Sequence, residues 1–380
     1  MLFLVPTLRR AGAETQVVDL VNALDARRFD KHLAFFEPLA DQLDRVNHSE
    51  VTVHQLSRRH KLDLDLVNRL ASVIDEHQIE AVHCTLQISL FYAFLAGFRT
   101  RSSPRLVAAL HTTVNLSLRQ ELYDRLLFRL ILRRCDRIVF VCHAQSRHWI
   151  HKYPELAPRA AVVYNGVDPS SYQSERAGAD AAALRIRLGI APQQPVIACI
   201  AGLRPEKGHG FLLEAFAGLE RDPQLLLAGD GPKREELTSL VTKLGLQRRV
   251  HFLGEVRDVR PVIAASDVTV LASTAVETFS MAMLESMAMG VPVIVTNIGG
   301  LSEAIRSGET GDLVPPGDAV ALRRSLQRMI DHDAERRTMG EQARERVRRD
   351  FSQQVMAAAT ADVLSEVLSG SARDVRLRET

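Results

Sequence analysis

The chain has 380 residues, 46% of them hydrophobic and 25% charged, with a formal net charge of +2. A single core stops growing below about 250–300 residues, so this length calls for two domains, and the composition excludes disordered and collagen-like chains. No run approaches the roughly 18–20 uninterrupted apolar residues of a membrane span, and nothing in the charge pattern calls for nucleic acid as a partner.

In chain order, Met1-Leu2-Phe3-Leu4-Val5-Pro6 is too short and too uncharged for a signal peptide and reads as a buried first strand. Short β-branched runs then alternate with longer amphipathic stretches, the pattern of βα units around a parallel sheet. Strands are predicted over 2–5, 32–36, 51–56, 81–84, 106–110, 138–141 and 162–164. Between the third and fourth of these runs, Asp63-Leu64-Asp65 spells a metal-type D-x-D, but it opens the amphipathic stretch LDLVNRLASVIDEH and is better explained as a helix cap. The stretch Leu116–Arg137 interleaves Leu, Phe and Ile with Arg119, Arg125, Arg129, Arg133 and Arg134. It suits either packing on the first sheet or rest on an anionic membrane. Residues 169–195 mix turn formers with one short helical stretch and read as a connection. Strands resume over 196–200, 225–228, 251–253, 268–271 and 293–295. The expected domains are therefore 1–168 and 196–348, with a last helical segment over 349–370. The first 168 residues hold 22 Lys/Arg and 18 Asp/Glu, the remainder 26 and 28, which is mild asymmetry. Cys84, Cys135, Cys142 and Cys199 have no metal-type spacing and too low a density for a disulfide scaffold, which suits a reducing cytoplasm. The thirteen histidines contain no H-E-x-x-H or similar pair, so no metal site and no cofactor are expected.

Chemistry concentrates in the second half. Glu277 and Glu285 stand eight positions apart around a helix that Thr278 or Ser280 can cap and Gly290 with Pro292 can end. Met281–Met289 is apolar apart from Glu285 and Ser286, so a carboxylate there needs partners, either ribose hydroxyls or a nearby arginine. The free N–H groups at that helix start favour phosphate oxygens. Arg204 and Lys207 lie in the Gly/Pro-containing loop after the 196–200 strand. From there two cations three positions apart can reach both phosphates of a diphosphate. Gly229-Asp230-Gly231-Pro232, Gly254, and Gly299-Gly300 with Glu303 occupy further loops after strands, where ligands of doubly wound sheets bind.

These residues resemble the retaining nucleotide-sugar glycosyltransferases of family 4, which have the GT-B fold: an α/β architecture of two Rossmann-like doubly wound domains. The likeness runs from Gly12-Ala13-Glu14 through His111 and Asn165-Gly166-Val167-Asp168 to Phe351. Its most specific parts are the E-x7-E element and the Arg204/Lys207 loop. The resemblance implies that Arg204 and Lys207 bind the donor diphosphate, Glu285 the ribose and Glu277 the transferred sugar, with the amides of Phe279, Ser280 and Met281 nearby. It further implies that Gly12 lies in a loop approaching the donor, that His111 is near the reacting sugar, and that the final helix returns to the first domain. The implied partners are a nucleotide-diphosphate sugar and a glycan or lipid-linked acceptor, with peripheral contact at the inner membrane face as an option. The family often has glycine where Ala11 and Ser280 stand. Two other classes share such loops: a GT-B epimerase or hydrolase acting on sugar nucleotides, and a non-catalytic sugar-nucleotide-binding protein. Dinucleotide binding would need G-x-G-x-x-G after the first strand, where Pro6-Thr7-Leu8-Arg9-Arg10-Ala11-Gly12 stands instead.

Overall fold

The computed structural model describes residues 1–60, 62–111, 124–275 and 277–370. They form two compact units. The first joins Met1–Asn165 to the chain from Gln353 onward, and the second is Gly166–Ser352.

The first unit is built on seven strands: β1 (Leu2–Val5), β2 (Lys31–Phe35), β3 (Val51–Gln55), β4 (Ala81–Thr85), β5 (Arg105–Leu110), β6 (Arg137–Phe140) and β7 (Ala160–Val162). All pairs are parallel, in the order β3-β2-β1-β4-β5-β6-β7. Strands β1, β2 and β4 are buried along their whole length because helices cover both faces, which is why β1 reads as a continuous apolar run; β2 and β4 bury Lys31, His32, His83 and Thr85 among their apolar residues. Helices Leu64–Glu76 and Gln87–Ala96 pack on one face through Leu66, Leu70, Leu90 and Ala93. Helix Gly12–Ala23 covers the other with the last described helix, Gln353–Leu368, whose buried Met356, Ala357, Thr360, Ala361, Leu364 and Val367 follow helical spacing. The Asp63 carboxylate accepts from Leu66 N–H at 3.0 Å and caps the helix it precedes. Strand β7 starts two residues earlier than the sequence pattern suggests. It pairs only with short β6, Ile138 to Ala160 through Phe140 to Val162, so the ladder ends where its partner does.

The second unit has strands β8 (Val196–Ile200), β9 (Gln224–Ala228), β10 (Val250–Gly254), β11 (Val268–Leu271), β12 (Val293–Thr296) and β13 (Gly311–Val314), all parallel in the order β10-β9-β8-β11-β12-β13. Strand β13 is absent from the sequence reading. Only Leu313 and Val314 carry its apolar signal, because it is a four-residue edge strand beginning Gly-Asp. The helical stretch expected within 169–195 is helix Ser174–Arg187, which packs on Arg260–Ala264 inside this unit. Its alanines Ala177 and Ala181 and its Leu184 are the buried positions, and so small an apolar face gives little periodic signal. All four cysteines are buried free thiols.

Candidate functional site

In the second unit the connections from β8 and from β11 leave toward opposite edges of the sheet, so the ends of these two adjacent strands border the crevice where such sheets bind ligands. The loop after β8 carries Arg204, Glu206 and Lys207 and the loop after β11 carries Ser273 and Glu277. They meet there. Lys207 Nζ lies 2.7 Å from Glu277 Oε2, and Ser273 Oγ donates to the same oxygen at 3.0 Å. Side-chain exposure is 15% for Lys207 and 10% for Glu277, so the ion pair is largely withdrawn from water. Arg204 is more open, 54% exposed, with its Nε 3.0 Å from Glu206 Oε1.

Backbone contact fixes the two loops. Gly208 has φ +66°, and a Cβ there would sit 1.9 Å from the Ala272 carbonyl oxygen, so only glycine lets the β8 loop close against the β11 loop. Thr274 N–H donates to Glu206 O at 2.9 Å across the same seam. Gly299, φ +54°, does the same for the loop after β12: its Cβ would lie 1.7 Å from Glu277 O, and Gly300 N–H donates to Thr278 O at 2.9 Å. The carboxylate thus projects from a backbone held on two sides. Beneath the Lys207 loop, Cys199 Sγ lies 3.7 Å from the His209 ring. Burial pushes the Cys199 thiol up to about 12 and His209 down to about 4, the latter helped by the Lys207 charge, so both are neutral near pH 7.

Helix Met281–Ala288 follows. Ser280 is its N-cap, accepting from Met283 N–H at 3.4 Å, and Gly290, φ +74°, ends it. Phe279 is buried with its ring 5.4 Å from Phe351, while Met281 is half-buried at the helix start. Glu285, half-buried, accepts from the Tyr172 hydroxyl at 2.9 Å. Gly254 closes β10, and its carbonyl accepts from Gly229 N–H at 2.8 Å. Leu203 N–H in turn reaches Asp230 O at 3.0 Å, which joins the loops of β8, β9 and β10.

Gly12 and His111 belong to the first unit. Gly12 is exposed and opens helix Gly12–Ala23. Glu14, in the first turn, is buried and accepts from Thr7 Oγ1 at 3.0 Å and Arg9 Nε at 3.2 Å, which ties down the loop after β1. His111 directly follows β5, and burial holds it down at about 4, as it does His83 on β4, where His111 adds to the effect. Both line a cavity of about 30 Å³ with Gln16, Thr85 and Asn165. His83 Nδ1, Thr85 Oγ1 and Ser89 Oγ are buried without a hydrogen-bond partner among the described residues. Leu86, between two of them, has φ +69°. Such strain and unsatisfied polarity collect at functional sites.

Sequence reasoning missed Tyr172, Thr85 and Ser89. Tyr172 lies in the stretch read as a connection, and the other two look like core positions of a strand and helix.

The family profile described as Glycosyl transferases group 1 matches residues 180–346. The profile described as Glycosyltransferase Family 4 matches residues 10–171. The chain is 30% identical over 324 residues to N-acetyl-alpha-D-glucosaminyl L-malate synthase of Bacillus anthracis, covering 84% of each protein. It is 35% identical over 237 residues to D-inositol 3-phosphate glycosyltransferase of Corynebacterium efficiens, covering 58% of this chain and 53% of that protein. Among solved structures, Anabaena HepE in complex with UDP-glucose superposes with a TM-score of 0.83 at 25% identity, covering 96% of this chain and 99% of that one. With matches along both units and this architecture, the chain belongs to the group 1, family 4 glycosyltransferases of GT-B fold.

Proposed function

We propose that this glycosyltransferase takes its sugar from a nucleotide-diphosphate donor held by the second unit and passes it to an acceptor hydroxyl with retention of anomeric configuration. The observation that carries this reading is the Lys207–Glu277 pair at the strand-order reversal, 2.7 Å apart and bordered by the Arg204 loop. An ammonium has three N–H donors, so Lys207 can keep Glu277 and still reach a phosphate oxygen. Arg204 adds a planar fork for the diphosphate. Among the described residues both contacts to Glu277 fall on Oε2, which gives Oε1 to a hydroxyl of the transferred sugar. Glu285 would take the ribose hydroxyls, exchanging or sharing the Tyr172 contact. The amides of Phe279, Ser280 and Met281, with the loops of Gly254 and Gly12, would line the phosphate and sugar.

In the chemical step the bond from the anomeric carbon to the diphosphate oxygen breaks and the bond to the acceptor oxygen forms on the same face. The acceptor proton passes to the departing phosphate oxygen, whose developing charge Arg204 and Lys207 stabilise. His111, held neutral, positions the sugar rather than accepting that proton. The UDP-glucose complex of HepE supports a nucleotide-sugar donor. The relatives named for malate and inositol 3-phosphate differ in acceptor and support no more than an acceptor hydroxyl; a glycan or lipid-linked acceptor rests on the family resemblance alone. Exposed Leu126, Leu127 and Leu130 beside Arg129 support contact with an anionic membrane surface; residues 116–123 of that stretch lie outside the described residues.

The test is a thermal-shift screen against UDP-, GDP- and ADP-sugars, since ligands of the native state raise its melting point, followed by transfer in excess chelator with proton NMR of the first product. One donor should stabilise the protein, and its anomeric coupling should be kept in the product. Inversion, release of free sugar without transfer, or chelator loss restored by Mg²⁺ or Mn²⁺ would overturn the mechanism.

A further inference from the structure

Three histidines that are distant in sequence converge at the β2–β3 edge of the first unit. His32 pairs with Thr52 and Ala34 with His54 in the parallel ladder, so His32 and His54 project from one face two rungs apart. Helix Leu64–Glu76 packs on that face, and His77 is the residue that ends it. Ring centroids are 5.3 Å apart for His32–His54, 4.6 Å for His32–His77 and 5.0 Å for His54–His77. One nitrogen from each lies within 4.8 Å of the other two.

We propose that His32, His54 and His77 bind a divalent transition-metal ion of the Zn²⁺ class, in an open site whose remaining position is taken by water. The ligand chemistry is built in. Asp30 Oδ2 lies 3.1 Å from His32 Nε2, the carboxylate–histidine arrangement that keeps the proton on Nε2 and turns the Nδ1 lone pair inward. His32 Nδ1 is 3.0 Å from His54 Nε2. Nitrogens bound to one tetrahedral Zn²⁺ at about 2.0–2.1 Å stand about 3.3 Å apart, so this pair is already at ligand spacing. A small ring rotation at exposed His77 brings in the third. Without an ion, His54 Nε2–H donates to His32 Nδ1. With one, the His54 proton moves to Nδ1 and both lone pairs face the metal. Burial lowers the pKa of both His32 and His54, which keeps them neutral and ready to ligate near pH 7. His32 lies near the amino end of β2, whereas ligands of doubly wound sheets bind beyond carboxyl ends. The ion therefore clasps edge strand β3 to β2 and to the helix end, apart from sugar transfer.

The full chain, stripped with chelator and dialysed, should bind Zn²⁺ alone in a saturable 1:1 calorimetric titration, and Co²⁺ should develop visible ligand-field bands. His77→Ala, an exposed position that spares the fold, should weaken Zn²⁺ at least about 100-fold and abolish those bands. Asp30→Asn should weaken it about 10–100-fold, as for other lost partners of ligating histidines. His48→Ala, at an exposed position outside the cluster, should leave binding unchanged. Absence of saturable binding, or equal binding by His77→Ala and the parent, would overturn the proposal.

Discussion

At Lys207 and Glu277, stability and chemistry make different demands on the same atoms. A largely buried carboxylate stripped of its cation is left poorly compensated. Lys207→Ala should therefore destabilise the second unit by up to about 3 kcal/mol, the lower end of what breaking a fully buried pair costs, because water still reaches both side chains. It should also lower kcat/KM about 10²–10³-fold, the loss typical of one donor to a developing anion. The double variant Lys207→Ala/Glu277→Ala separates the two effects. Removing both charges should recover most of the denaturation midpoint and none of the rate. Recovery of rate together with midpoint would mean that the pair only supports the fold. Little of this pairing could be read from the sequence. The residue types and their loops were legible, but which carboxylate meets which cation is set by strand order, which puts β11 beside β8 across 70 residues of chain.

Loops after parallel strands are positioned by each other as much as by their strands. The β12 loop backs the β11 loop through Gly299, where no Cβ fits against Glu277 O. Gly299→Ala should therefore shift the Glu277 backbone and lower kcat at least about 10-fold, since displacements of about 1 Å can cost 10²-fold. Donor-induced thermal stabilisation, which the proposed function assigns to Arg204, Lys207 and Glu285, should change far less. Equal loss of donor binding and kcat would show that the loops collapse as a unit. At this scale the sequence was informative wherever an element is buried on both faces. β8 and β11 stand where their β-branched runs predict, and Ser280 caps its helix as its position before an apolar run suggests. Edges were less legible: β13 carries two apolar residues, and β7 stops with its partner. Contacts assembled across elements were illegible, because register and helix packing, not spacing, bring Tyr172 to Glu285 and bring His32, His54 and His77 together.

The whole molecule is threaded so that its first unit is completed by its last described helix. Gln353 Nε2 donates to Asp19 O at 2.5 Å, Arg28 reaches Ser365 Oγ at 3.0 Å and Arg137 pairs with Glu366 at 3.2 Å, while Leu364 and Val367 are fully buried. Burying Met356, Leu364 and Val367 contributes roughly 4.5–9 kcal/mol at about 1.5–3 kcal/mol each, comparable to the whole margin of a domain. A chain ending at Ser352 should show hydrogen-exchange protection lost across β1–β7 and retained across β8–β13; uniform protection would contradict this. The consequence is felt during synthesis. Domains usually fold in the order in which the ribosome releases them, at about 5–20 residues per second. Here the amino-terminal half emerges first, yet it must wait for all of Gly166–Ser352 to be translated, roughly 10–40 s at that pace, before its closing helix exists. Through that interval an apolar face belonging to Phe3, Val17 and Val21 is open to chaperones and to neighbouring nascent chains. Changes that weaken this face should therefore lower yield in the cell more than they lower the stability of protein already made.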